Sequence, residues 1–135
     1  METFKLVLPE HLNHYGFLFG GNMLKWVDEA AYIAATIEFP GCNFVTVGMD
    51  KVEFRKSICQ GSIVRLHAQQ SSLGRTSVTY LVEVHARELQ KSNEDIVFST
   101  HITFVCVDNC GKKVAIAERQ NSVCPIRSML QGPPQ

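Results

Sequence analysis

Four segments after residue 42 have the hydrophobic patterns that are typical of β-strands. In one of them Val64, Leu66 and Ala68 alternate with polar residues, and the next segment alternates in the same way. A segment around residue 100 is apolar on both faces, as expected for a central strand. We therefore predict long strands at Asn43–Phe54, Ser62–Gln70, Thr76–Arg87 and Ile96–Val107, and a shorter strand at Phe4–Leu8.

One long helix is predicted between the short strand and the four long ones. Asn22 is suited to cap its start, and Pro40-Gly41 ends it near Glu38. Only about a third of the helix circumference is polar, and this sector contains Lys25, Asp28, Glu29, Tyr32 and Thr36. A helix with so wide an apolar face must be surrounded by the rest of the protein.

The order of the elements, strand, helix and four strands, favours an α+β fold. A long antiparallel sheet twists and curls, and only one helix is available to fill its concave face. We predict a curved five-stranded antiparallel sheet wrapped around a long central helix. The outer face and the edges of this sheet need cover, which predicts oligomerisation. Residues 1–130 are expected to form a single domain, followed by a disordered tail at residues 131–135.

The composition narrows the choice of partners and compartment. The 135 residues include 13 basic and 13 acidic ones, so the formal net charge is zero, and neither nucleic acid nor a membrane surface is expected as the main partner. No apolar run has transmembrane length, and the N-terminus lacks the pattern of a signal peptide. The five cysteines have no CxxC spacing. This disfavours zinc and indicates reduced thiols in the cytoplasm.

The segment from Asn13 to Ala31 is the first candidate for chemistry. Gly20 and Gly21 come just before the apolar run, where the absence of a Cβ lets another molecule approach the free N–H groups of the first helical turn. Asp28 is a carboxylate in a largely apolar helix, which costs free energy unless the group is used. The combination suggests a site where an electrophilic carbonyl meets a carboxylate. The alternatives are an ordinary tight turn and a solvated acidic residue.

An ordered series of residues runs through most of the chain, from about Leu6 to Lys112. It begins with Pro9, Asn13, Gly16, Phe19, Gly20, Gly21, Leu24, Trp26, Asp28, Glu29 and Ala30. It continues with Val45-Thr46-Val47, Val52-x-Phe54, Gly61, Gly74-Arg75-Thr76-Ser77 and Thr103-Phe104-Val105-x-Val107-Asp108. The series resembles the hotdog-fold acyl-CoA thioesterases, in the branch that includes bacterial short-chain and eukaryotic cytosolic acyl-CoA hydrolases.

The resemblance implies a hotdog fold and a homodimer whose two sheets join edge to edge, assembling further to a tetramer or hexamer. It implies hydrolysis of acyl-CoA to a free acid and CoA. The two catalytic positions of the family match Asn13 and Asp28, which would face each other across the dimer, one from each subunit. Phe17 stands where many members carry a small polar residue, and this departure leaves the preferred acyl chain open.

Thioester hydrolysis requires a nucleophilic water and a donor for the developing oxyanion. Asp28 is the candidate general base, with direct attack as nucleophile a variant of the same role. The backbone N–H groups of Gly20, Gly21 and Asn22 lie at the positive end of the helix dipole and are candidates to hold the thioester oxygen. Asn13 would orient the water or the thioester; the alternative is an Asx-turn residue that only shapes its loop.

The CoA arm also needs a binding surface. The candidates for it lie at a predicted hairpin tip and are Gly74, Arg75, Thr76 and Ser77. A basic side chain and hydroxyl groups suit the phosphates or the pantetheine arm of CoA, although a plain hairpin tip has a similar composition. Arg55 and Lys56 are second-rank candidates for phosphate, with a solvated charge pair as the alternative. We expect no metal and no redox cofactor, because none of the five histidines has helical metal-ligand spacing.

Other functions remain open on the sequence. An acyl-carrier-protein thioesterase or an acyl-CoA dehydratase would use the same fold. Dehydratases of this fold use an Asp–His pair, and no histidine follows Asp28 at helical spacing. A non-catalytic acyl-CoA-binding or regulatory module would retain Arg75 and the groove but would have no use for Asp28.

Overall fold

The computed structural model describes residues 1–120. Five strands and two α-helices follow one another as β1 (Glu2–Leu6), α1 (Gly20–Glu38), β2 (Asn43–Met49), β3 (Ile63–Leu73), β4 (Ser77–Arg87), β5 (Asp95–Val107) and α2 (Ile116–Gln120). A short 3-10 turn at Pro9–His11 separates β1 from α1. The predicted tail at residues 131–135 and Cys124 lie outside the described residues.

The five strands form one antiparallel sheet in the order β1-β3-β4-β5-β2. The long hairpins β3–β4 and β4–β5 make up its centre, and β1 and β2 are its edges. At one end of the sheet Leu66 lies opposite Val84, which lies opposite Phe98. At the other end Val78 lies opposite Phe104, which lies opposite Thr46. These two rows serve below as reference points for the site.

Helix α1 lies on the concave face of the sheet, as the sequence predicts. Its buried residues are Met23, Trp26, Val27, Ala30, Ala31, Ala34 and Ala35. The alternation of β4 is also observed, since every second residue from Val78 to Ala86 is buried. The alanines on this helix face take up little volume, so the helix backbone approaches the sheet closely.

Two adjacent carboxylates show how the helix is rotated on the sheet. The Asp28 carboxylate accepts a hydrogen bond from the Thr46 hydroxyl of β2, with 2.8 Å between the oxygens. Glu29 pairs with Lys5 of β1, with 3.1 Å between the charged atoms. The two acidic residues therefore face opposite edges of the sheet. The buried alanine face between them fixes this orientation.

The C-terminal end of α1 is attached to the core by a buried tyrosine. Tyr80 is fully buried, and its hydroxyl donates a hydrogen bond to the Glu38 carboxylate at 2.5 Å. Burial raises the pKa of Tyr80, and the nearby carboxylate raises it further. The hydroxyl therefore remains a donor at any physiological pH.

Several element boundaries differ from the sequence prediction, among them the start of the helix and the end of β2. The helix begins at Gly20 after Phe19, and no side chain caps it. The predicted cap Asn22 is wrong, since its side-chain amide instead donates to the carbonyl of His11 at 3.0 Å. Strand β2 ends at Met49 rather than Phe54, after a β-bulge between Thr46 and Gly48.

The close helix–sheet contact leads to a prediction on stability. Ala31 is fully buried, so Ala31→Leu must displace packed neighbours and should lower the free energy of unfolding by about 1–3 kcal/mol. Urea unfolding at one fixed protein concentration measures this change. The control is Ala117→Leu at an exposed position of α2, which should change stability little. Equal effects of the two variants would contradict the proposed tight packing.

Candidate active site

The start of α1 presents two free backbone donors. The N–H groups of Gly20 and Gly21 have no acceptor within residues 1–120. The N–H group of Asn22 donates to the carbonyl of Phe19 at 3.0 Å. Unlike the two glycine N–H groups, the predicted donor Asn22 therefore already has an internal acceptor, which closes the first turn of the helix. The two glycine N–H groups keep the positive end of the helix dipole open.

Aromatic rings of the same chain occupy the space that the two glycines leave. A Cβ atom on Gly21 would lie 2.7 Å from Cε1 of Phe19, and one on Gly20 would lie 3.2 Å from Cζ of Phe54. Both rings remain about half exposed. The glycines thus allow two aromatic side chains to pack against the helix start, in addition to leaving the N–H groups uncovered by a side chain of their own.

Asn13 shapes the loop that precedes the helix. Its side-chain oxygen accepts the backbone N–H groups of Tyr15 at 2.9 Å and Phe17 at 3.1 Å. This is the Asx-turn alternative considered above. The side-chain NH₂ group has no acceptor in the part of the chain that is described. Asn13 can therefore hold the loop with its oxygen and still donate a hydrogen bond with its nitrogen.

Asn13 and Gly20 share a cleft of about 600 Å³. Its buried apolar residues are Leu18, Met23 and Ile58, and its exposed rings belong to Tyr15, Phe17 and Phe54. The remaining lining residues are Arg55, Lys56 and Ser57. The cleft therefore combines an apolar floor, an aromatic rim, a basic edge and two kinds of N–H donor.

Asp28 does not line this cleft. It lies eight residues beyond Gly20 on the same helix, which corresponds to roughly 12 Å along the axis. Its bond to Thr46 places it beside β2, whose outer edge carries the exposed apolar residues Val45 and Val47. Within one chain, the candidate base therefore lies apart from the candidate donors. The base lies next to the free edge of the sheet.

The predicted CoA-binding tip is also distant from the cleft. Gly74, Arg75 and Thr76 form the β3–β4 turn, and Ser77 lies opposite Val105 at the start of β4. The cleft residue Phe54 contacts Phe98 of β5. Phe98 is seven residues from Val105 along this strand, which corresponds to roughly 23 Å. The tip therefore lies far from the cleft of its own chain. The Arg55 and Lys56 side chains are the basic groups at the cleft instead.

The two basic residues of the cleft differ in their surroundings. Lys56 pairs with Asp95 at 2.7 Å, and this contact raises the pKa of the lysine. The Arg55 side chain forms no ion pair or hydrogen bond among residues 1–120. The guanidinium of Arg55 is therefore the uncompensated positive charge at the cleft, although its exposure means that solvent screens it.

A polar cluster that the sequence analysis did not identify lies where β2 ends. The Asp50 carboxylate accepts hydrogen bonds from the backbone N–H of His101 at 2.8 Å and from the Thr100 hydroxyl at 2.9 Å. Its second oxygen lies 2.8 Å from Nδ1 of His101. The backbone hydrogen bond from His101 is the main cause of a lowered Asp50 pKa, and the two side-chain bonds add to it. No periodic pattern of residues 50, 100 and 101 announces this cluster.

No metal site or membrane span is found in the described part of the chain. Between residues 1 and 120, no group of three or more His, Cys, Asp and Glu side chains is arranged to hold a metal ion. Neither of the two α-helices there combines the length and the apolar character needed to cross a bilayer.

The structure to be compared is a curled antiparallel sheet around one helix, with free backbone donors at the helix start. The sequence model of the thioesterase superfamily matches residues 15–92, which is more than half of the chain. The chain therefore belongs to the thioesterase superfamily. A hexameric hotdog-fold thioesterase of Campylobacter jejuni has a similar structure, with a TM-score of 0.78 and 32% identity over 87% of this chain and 90% of that one. The predicted hotdog fold is confirmed.

Two curated relatives are similar in sequence. YkhA of Bacillus subtilis, described as an uncharacterized acyl-CoA thioester hydrolase, is 31% identical over 82% of this chain. Mouse acyl-coenzyme A thioesterase 11 is 34% identical over 78% of this chain. The chain spans 63% of the Bacillus relative and 18% of the mouse relative. The match therefore covers only a small part of the longer mouse protein.

The lowered pKa of Asp50 leads to a prediction on pH dependence. The folded-state pKa lies below the unfolded value of about 3.9, so the ionised group stabilises the fold above about pH 4 and this contribution is lost as the pH falls through the lowered pKa. Wild type and Asp50→Asn should differ in free energy of unfolding near pH 6 and converge at an acid pH below the lowered pKa of Asp50. The difference should be small because the carboxylate is largely exposed. A difference that is the same at both pH values would contradict the assignment.

Proposed function

We propose that the protein is an acyl-CoA thioesterase, which hydrolyses acyl-CoA to a free acid and CoA. The names of the curated relatives and the superfamily support the reaction class. The observation that carries the proposal is the division of the site. Donors at Asn13 and Gly20 line one cleft, and a carboxylate at Asp28 lies at the free sheet edge.

The division is resolved by a homodimer in which two β2 edges meet. Such a contact continues the sheet and pairs the unbonded backbone N–H and C=O groups of the β2 edge. It brings Asp28 of one subunit towards the cleft of the other. Because Asn13 and Gly20 line the same cleft, the glycine and asparagine donors act from one subunit and the carboxylate from its partner. Each dimer then contains two equivalent sites.

Larger assembly is part of the proposal. The Campylobacter relative is described as hexameric, and the dimer just described is a suitable building block for a hexamer or a tetramer. The hairpin tip with Arg75, which is distant from the cleft of its own chain, would meet substrate only if a neighbouring subunit places it there. Its assignment to the CoA arm therefore belongs to the assembled protein.

The chemistry follows from the two halves of the site. Asp28 removes a proton from a water molecule, whose oxygen attacks the thioester carbon. The Thr46 hydroxyl fixes one carboxylate oxygen, which leaves the other to accept the proton. The N–H groups of Gly20 and Gly21 and the NH₂ group of Asn13 stabilise the oxyanion. Collapse of the tetrahedral intermediate breaks the carbon–sulfur bond, and the CoA sulfur leaves as a thiol with the proton that Asp28 had taken, which regenerates the carboxylate.

The remaining parts of the proposal concern the surroundings of the reaction. The apolar floor of the cleft suits an acyl or pantetheine chain, and Arg55 at its edge suits a phosphate of CoA. Each proton transfer and each contact in this scheme is assigned to a side chain or a backbone amide, so we propose that no metal or redox cofactor takes part. The cytoplasm remains the proposed compartment, on the interpretation that the cysteines are reduced thiols.

The first test is removal of the carboxylate. Asp28→Ala should lower the rate of thiol release from acyl-CoA by about 10²–10⁴-fold without altering the circular dichroism spectrum. Glu29→Ala is the matched control, because it removes the adjacent carboxylate, which contacts Lys5 rather than β2. An unchanged rate in Asp28→Ala would exclude the proposed base. If the wild type binds acyl-CoA saturably and releases no thiol, the binding module replaces the enzyme.

The second test concerns the role of the Asn13 side chain as a hydrogen-bond donor and the subunit that supplies it. Asn13→Asp keeps an oxygen that can accept the N–H groups of Tyr15 and Phe17 but loses the NH₂ donor, so it should fold normally and lose about 10–10³-fold in turnover. Asn13→Ala should lose turnover and loop stability together.

A mixed dimer completes this test. One Asp28→Ala subunit paired with one Asn13→Asp subunit has one doubly altered site and one intact site, so it should recover about half of the wild-type activity. Differently tagged subunits, purified as the heterodimer, allow this measurement. Activity no higher than that of the two altered homodimers would show that both residues act from the same subunit.

A further inference from the structure

The chain from residue 50 to residue 57 forms one wall of the cleft, and we call it the wall segment. Two backbone hydrogen bonds attach it to β5. The Asp50 N–H donates to the carbonyl of His101, and the Arg55 N–H donates to the carbonyl of Val97, each at 3.0 Å. In the described structure, residues 51–54 form no backbone hydrogen bond between these two points. The position of the segment therefore depends strongly on its two attachments.

The first attachment is a side chain that takes the place of a backbone group. In a continuing antiparallel ladder, the His101 N–H would donate to the carbonyl of Asp50. Here it donates to the Asp50 carboxylate. The same oxygen accepts the hydroxyl of Thr100, a residue that is only 3% exposed. This exchange ends strand β2, and the chain hydrogen-bonds to β5 again only at Arg55.

The wall segment connects this attachment to the start of α1. The Phe54 ring lies 5.2 Å from the ring of buried Phe98, measured between centroids, and it packs against Gly20 on its other side. Gly20 carries one of the free N–H groups. A shift of the wall segment would therefore change the width of the cleft on the side that Phe54 lines.

We propose that Asp50, held by His101, is a positioning residue for substrate binding. The carboxylate fixes the wall segment so that Phe54 and Arg55 form a binding surface of constant shape. Asp50 itself lines no part of the cleft. Its removal therefore acts only through the wall segment, which weakens substrate binding and leaves the chemical step intact. This inference rests on the proposed thioesterase function. A purely structural role for Asp50 would instead lower stability without a selective effect on affinity.

The experiment compares kcat and KM for thiol release in three variants. Asp50→Ala should raise KM about tenfold and change kcat less than about twofold. Asp50→Asn should keep both constants within about twofold of the wild type, because its side-chain oxygen still accepts from the His101 N–H and the Thr100 hydroxyl. The dissociation constant of a non-hydrolysable acyl-CoA thioether should change in parallel with KM.

Asp108→Ala is the matched control. The Asp108 carboxylate also accepts two backbone N–H groups, from Cys110 at 2.8 Å and Lys112 at 2.9 Å, but it lies beyond the other end of β5 and lines no part of the cleft. Its KM should stay within about twofold of the wild type at a comparable loss of stability. An unchanged KM in Asp50→Ala, or an equal rise in Asp108→Ala, overturns the proposal.

A second pair of variants carries the test if Asp50→Ala does not fold. Phe54→Ala removes the wall itself and should raise KM about tenfold, and His101→Gln, which removes only the ring contact to Asp50, should raise KM about threefold. If both act through the wall, adding His101→Gln to Phe54→Ala should raise KM no further. Additive effects overturn the proposal.

A wild type that releases no thiol from any acyl-CoA refutes the proposed function itself. An active wild type with an unaffected Asp50→Ala refutes only this inference.

Discussion

The close packing of one long helix in the concave face of the sheet is the constraint on which the other features depend. The helix surface that meets the sheet includes Ala30, Ala31, Ala34 and Ala35, all almost completely buried. These small side chains require the sheet to curl tightly around the helix. They also fix the helix rotation, which directs Asp28 to β2 and Glu29 to β1. A helix rotated by one residue would bury a carboxylate without a partner, at a high cost in free energy.

The same constraint divides the site along the helix. The helix start lies at the end of the sheet that contains Phe98, and the carboxylate lies two turns further on, beside the edge strand. A single chain cannot fold this helix back to join the two. Under the proposed function, dimerisation is therefore required for catalysis as well as for covering the exposed edge of β2. The β2 edge and the active site then belong to the same subunit interface.

The cleft illustrates how a glycine pair can serve the protein's own side chains. Gly20 and Gly21 leave room for the rings of Phe54 and Phe19, which would clash with any larger residue. These rings flank the helix start, and the two N–H groups have no internal acceptor within residues 1–120. The position of Phe54 in turn depends on the wall segment that Asp50 attaches to β5.

The sequence by itself determined the elements and the residue types that carry the candidate chemistry. Alternation with a period of two identified the central strands, and Pro40-Gly41 correctly marked the end of the helix at Glu38, because these signals act between neighbours in the chain. The tertiary structure alone decided where β2 ends, since Asp50 and His101 are 51 residues apart in sequence. It also decided that Asn13 shares a cleft with Gly20 and Arg55, and that Asp28 and Arg75 lie elsewhere. These proximities follow from the strand order and the helix rotation, which depend on contacts between distant segments that no local pattern encodes.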